Sequence, residues 1–111
     1  DVDDTLEVSA WPITLASLVQ LAEAGHIVGI CGNWAVVTGR VQGWHRLFSF
    51  LGSMGLSKAD FLRQIQLYVP AEEYVMVGNI LGVSGASDDA GAAQEAGWRF
   101  IRESEFAAGT R

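Results

Sequence analysis

Residues 74–101, YVMVGNILGVSGASDDAGAAQEAGWRFI, hold the pattern from which the fold is read. YVMVG (74–78) is an apolar run of the length of a strand buried on both faces. Ser87 reads as a helix N-cap, with Asp88 and Asp89 in the first turn, where the helix dipole favours acids. AGAAQEAG then continues as a helix of small residues stopped by Gly97, and WRFI (98–101) follows as another strand. Strand, helix and strand in this order describe a parallel pair joined by a helical crossover.

The same alternation extends upstream. PITLASLVQLAEAG (12–25) carries Leu15, Leu18, Val19 and Ala22 on one stripe, with Pro12 at the start and Gly25 at the end, which predicts a helix. HIVGIC (26–31) is a short apolar run bounded by Gly32–Asn33 and predicts a buried strand. WAVVTGRVQG (34–43) fits either a strand extension or a loop. Trp44, Leu47, Phe48 and Leu51 recur at i, i+3, i+4 and i+7, predicting a helix over roughly 42–52. Ser57 and Asp60 form a partial capping box ahead of a helix that carries Phe61, Leu62 and Ile65 and ends by Pro70. The expected fold class is therefore α/β: one doubly wound, Rossmann-like domain over 1–111, three layers (α/β/α) around a parallel sheet. Ligands of such sheets bind beyond the carboxyl ends of the strands. That directs attention to Gly32–Asn33, Gly78–Asn79 and Ser87–Asp89.

Composition narrows the function classes. Half of the 111 residues are apolar and 18% are charged, enough for a real core. Thirteen acids against seven bases give a net charge of −6 and no basic cluster, which argues against nucleic acid as a partner. No apolar run approaches the ~18 residues of a membrane-spanning helix. The single Cys31 excludes an internal disulfide and suits a reducing, cytoplasmic setting.

The chain opens DVDDT, with Asp1, Asp3 and Asp4 close together. Like charges so placed are either a solvated terminus or the arms of a cation site. Two acids one residue apart leaving a strand can face one cavity, one as a nucleophile toward phosphorus and the other as a proton carrier. A shared Mg²⁺ relieves their repulsion, since that ion prefers oxygen ligands and keeps several waters. Asp88 or Asp89 is the candidate third acid from a distant loop. Lys58, the only lysine in the chain, is the candidate to hold a phosphoryl group.

In this order the motifs resemble the haloacid dehalogenase-like (HAD) hydrolases, mostly Mg²⁺-dependent phosphatases that pass through a phosphoaspartate. DVDDT matches the family's first motif, D-x-D-x-T. The resemblance implies Asp1 as nucleophile, Asp3 as general acid/base and Thr5 as a stabilising residue. It also implies Mg²⁺ ligation by the Asp1 side chain and the Asp3 carbonyl. Lys58 stands where the third-motif lysine belongs, and VMVGN with SDDAGAAQEAGWRFI resembles the fourth motif. The implied substrate is a phosphorylated small molecule or a phosphoprotein. The short gap after Leu6 leaves little room for a capping domain, so specificity would come from a macromolecular partner or a homo-oligomer.

Three departures qualify the match. Asn79 replaces the usual Asp after the fourth-motif glycine, and ILGVSGA separates it from the acids, so Asp89 or Asp88 would supply the lost charge at the metal. At the second motif Cys31, Gly32 and Asn33 bring no hydroxyl, so backbone N–H groups at Gly32 and the Asn33 side chain are expected to bind the phosphoryl group, with Thr38 in reserve. The family's central strand would precede Asp1, and residues ahead of Asp1 are expected to supply it. Asn79 and the missing hydroxyl also suit a catalytically degenerate, HAD-like binding or regulatory module. A two-component receiver domain fits less well, because its phosphate-accepting Asp follows the third strand, where this chain has Asn79.

Overall fold

In the β-rich carboxyl half, β3 (Val75–Gly78) lies parallel to β4 (Arg99–Arg102), in register from Val75 opposite Arg99 to Gly78 opposite Arg102. The crossover is α5 (Asp89–Ala96), stopped at Gly97, which takes the left-handed conformation expected of a helix-terminating glycine. Val75, Val77 and Ile101 pack into one apolar cluster with Leu18 and Phe106, while Met76 and Phe100 pack into another with Leu62 and Ala93. The period of two along the strands thus buries both faces of the pair. Here the sequence pattern and the structure agree closely.

The computed structural model describes residues 1–111. Its radius of gyration, 12.7 Å, is close to the roughly 13 Å of a folded chain this long. The remaining elements are α1 (Leu15–Glu23), β1 (Ile30–Cys31), α2 (Trp34–Arg40), α3 (Trp44–Leu47), β2 (Leu51–Gly52), α4 (Lys58–Tyr68) and α6 (Glu103–Ala107). No helix is long and apolar enough to cross a membrane.

Several expectations change. The α1 helix begins later than Pro12, because Thr14 accepts from Ser17 N–H and acts as the cap. HIVGIC contributes only two strand residues, and WAVVTGR is helix rather than strand or loop. The expected helix over 42–52 survives as four residues. The chain turns extended at Phe48, and Leu51–Gly52 pairs in parallel with Ile30–Cys31 as a strand the apolar spacing concealed.

The four strands form two parallel pairs, not one continuous sheet. Between them lies a cleft of about 730 Å³, lined by apolar side chains that include Val28, Ile30, Met76, Val77 and Ile101, and also by Asp1. The Asp1 α-amino group donates to the Val77 carbonyl at 2.9 Å, so the first residue sits against the edge of β3. On its other side Asp1 approaches Gly32, at the end of β1, so closely that a Cβ there would lie 2.5 Å from Asp1 Oδ1.

Candidate functional site

The opening motif is a turn clamped by apolar anchors. Val2 and Leu6 are buried, and the Thr5 and Leu6 N–H groups both donate to the Val2 carbonyl. Asp4 takes a positive φ of 57° at the bend. The turn leaves the Asp1 side chain inside and Asp3 exposed at the rim.

Lys58 reaches this turn from the first position of α4, whose cap is Ser57, the acceptor of Asp60 N–H. Its ammonium donates to Asp1 Oδ1 at 3.0 Å, to Asp89 Oδ1 at 2.6 Å and to Ser87 Oγ at 3.2 Å. All three hydrogens are engaged. Asp89 is fully buried, and its other oxygen accepts from the Asn79 N–H at 2.8 Å. Gly78 makes this possible, because a Cβ there would collide with the Asp89 side chain. One ammonium between two buried carboxylates is geometry in which losing any member leaves an uncompensated charge.

Thr5 completes the inner site. Its hydroxyl lies 3.2 Å from Asp1 Oδ2, 3.2 Å from the Asp3 carbonyl and 3.3 Å from Asn79 Oδ1. A hydroxyl has one proton to donate, so three acceptor oxygens converge on a single donor. Carboxylate, carbonyl and amide oxygens so gathered are the donor set of a hard cation, and Mg²⁺ needs only one or two carboxylates beside its waters. No group of three or more His, Cys, Asp or Glu side chains forms a metal centre. Oxygens of the kind Mg²⁺ takes are offered by Asp1, the Asp3 carbonyl and Asn79, all three facing the Thr5 hydroxyl, with Asp89 a nearby charge.

The two acids of the fourth motif separate cleanly. Asp88 is exposed and accepts from the Gly91 N–H at 3.0 Å, so it is the cap of α5 and stands apart from the cation set. Ser87, which the sequence suggests as that cap, instead receives Lys58. Neighbouring Ser and Asp are equally competent N-caps, and only the position of Lys58 tells them apart. Asn33 donates to both oxygens of Asp3, at 3.3 and 3.1 Å, so its amide orients the exposed acid. Thr38 donates to the Ala35 carbonyl within α2. The Gly32 N–H donates to the Gly52 carbonyl at 2.8 Å as part of the β1–β2 ladder, so it is not available to a phosphoryl group as expected, and Gly32 contributes room for the Asp1 carboxylate instead.

Burial shifts two groups. The Asp1 α-ammonium is held below its ordinary value chiefly by burial, opposed by the Asp89 carboxylate and reinforced by Lys58. The Cys31 thiol is pushed up by burial against the lowering influence of the Asp1 ammonium and Lys58, which suits a core residue and not a nucleophile.

Two further residues escape the sequence reading. Ser84 Oγ accepts from the Ile80 N–H at 2.9 Å and donates to the buried Glu103 at 3.1 Å, bracing the loop between Asn79 and Asp89. Nothing in the spacing of Ser84 and Glu103 signals this. No protein-family model matches the chain, and no curated protein or solved structure is significantly similar to it.

Proposed function

We propose that this chain is the catalytic domain of a Mg²⁺-dependent phosphohydrolase acting on phosphate monoesters, in a doubly wound fold of the HAD type. The observation that carries the reading is Lys58, whose ammonium joins Asp1 to Asp89 while Asp3 is exposed at the rim with its carboxylate held by Asn33. These residues lie beyond the carboxyl ends of β1 and β3, where ligands of parallel sheets bind.

In this reading an Asp1 carboxylate oxygen attacks phosphorus, and the bond from phosphorus to the leaving alkoxide breaks. Asp3, oriented by Asn33, gives its proton to that alkoxide. Asp3 then takes a proton from water, whose oxygen attacks the phosphoaspartate. The bond from phosphorus to Asp1 breaks, and inorganic phosphate leaves. Lys58 and the Asn33 backbone N–H offset charge on the phosphoryl oxygens, a contribution worth several kcal/mol of barrier. Mg²⁺, held by Asp1 and the Asp3 carbonyl with Asn79 and Asp89 beside them, would supply further charge neutralisation and orient the phosphoryl group. The substrate class is a phosphorylated small molecule or phosphoprotein, with specificity from a partner or a second copy, in a cytoplasmic setting.

Turnover of p-nitrophenyl phosphate with Mg²⁺ tests the reading. Asp1→Asn is expected to abolish it, and undiminished turnover by that variant removes the proposal.

One observation favours a second reading, a binding or regulatory module that has lost catalysis. The turn after β1 offers no hydroxyl, its only polar side chain is engaged with Asp3, and Thr38 is turned into α2. Calorimetric titration with Mg²⁺ separates the two readings, since a domain of the second kind takes up no ion.

A further inference from the structure

We infer that Asn79 is a positioning residue whose amide nitrogen clasps the Asp1–Thr5 turn to the loop 80–86, so that an amide is required there and a carboxylate cannot substitute. The inference rests on the phosphohydrolase reading, and it gives the departure from Asp at this place a reason. Asn79 is fully buried at the end of β3. Its Nδ2 donates to the Asp4 carbonyl at 2.8 Å and to the Ser84 carbonyl at 3.3 Å, which uses both amide hydrogens. Its backbone N–H holds Asp89, and its Oδ1 faces Thr5. The residue therefore touches both acidic segments of the site and fixes the bend at Asp4, on which the aim of Asp1 and of the Asp3 carbonyl depends.

An ionised carboxylate has no proton for either carbonyl. Placed here it would set negative oxygens against the Asp4 and Ser84 carbonyl oxygens in a buried environment, the costliest way to leave polar groups unpaired. The loop side of the clasp is equally close-fitting. A Cβ at Gly85 would lie 2.7 Å from Asn79 Cγ, so that glycine admits the amide.

The test compares Asn79→Asp, Asn79→Leu and Gly85→Ala with the unaltered chain. Turnover of p-nitrophenyl phosphate is measured across Mg²⁺ concentrations, alongside amide hydrogen exchange without Mg²⁺ or substrate. The clasp predicts a fall in kcat of about a hundredfold for Asn79→Asp, KM within about threefold, and no recovery at saturating Mg²⁺, as expected when reacting groups are mispositioned. It also predicts faster exchange at Thr5 and Leu6 with exchange in α4 unchanged, which a general loss of stability would not produce. Asn79→Leu and Gly85→Ala are expected to share the exchange signature. Should Asn79→Asp fail to fold, Gly85→Ala carries the test, since it displaces the amide without altering a polar group of the site. Full activity with tighter Mg²⁺ binding in Asn79→Asp, or unchanged exchange in all three variants, overturns the inference. An unaltered chain without turnover defeats the phosphohydrolase reading alone, because the exchange measurement still decides the clasp.

Discussion

The two strand pairs serve the site differently. The pair β3–β4 is four residues long, is joined by one helix and is buried on both faces. It leads directly into Asn79, Ser87 and Asp89, each fixed by backbone or charged partners. The pair β1–β2 is two residues long, is joined through two short helices, and contributes mainly space at Gly32 and one exposed amide at Asn33. One half holds the charges in place, and the other makes room for the Asp1 carboxylate. In this chain the anchoring half is also the half with the longer, better-packed strands, as expected when a site is supported by rigid elements.

The sharpest way to break this division is Lys58→Met. Removing the ammonium leaves the Asp1 and Asp89 carboxylates without the cation that joins them, and Asp89 is wholly buried. Loss of about 3 kcal/mol of stability is expected by urea unfolding, together with loss of turnover. A loss under about 0.5 kcal/mol, the size of a surface substitution, would show that the cluster is not an anchor.

Two glycines compare the halves directly. Gly78→Ala drives a Cβ into Asp89 and is expected to cost about 2 kcal/mol by overpacking. Gly32→Ala meets chiefly the Oδ1 tip of Asp1, where Gly78→Ala also meets the Cβ and Cγ of Asp89, so it should lower turnover while costing about half as much stability. Equal stability losses would mean that the two halves are equally rigid.

The smallest effect separates the paired acids. Asp88→Ala removes a helix cap and should cost about 1 kcal/mol with turnover retained. If turnover falls as far as it does in Asp89→Ala, Asp88 belongs to the site after all.

How much of this was legible in the sequence follows the same division. The β3–α5–β4 unit announced itself through a continuous apolar run, a small-residue helix and a terminating glycine. The order of the motifs also put Asp1, Lys58 and one of Asp88 or Asp89 in one place, leaving open which acid, and Lys58 lies 3.0 Å from Asp1 and 2.6 Å from Asp89. The β1–β2 half was obscured by its brevity. Leu51 keeps the helical spacing from Trp44, yet it pairs with Ile30, because a two-residue strand carries too little periodicity to compete with a four-residue pattern. The role of Asn79 could not be read at all, since its partners are the carbonyls of Asp4 and Ser84, and backbone groups leave no mark on residue type.

The most direct measurement is the mass of the amino-terminal peptide after the chain, Mg²⁺ and a phosphate monoester are mixed and quenched with acid within one turnover. One phosphoryl group on Asp1, absent in Asp1→Asn, is the expected result. Release of phosphate with Asp1 unmodified at every quench time would mean that hydrolysis proceeds without this carboxylate as nucleophile.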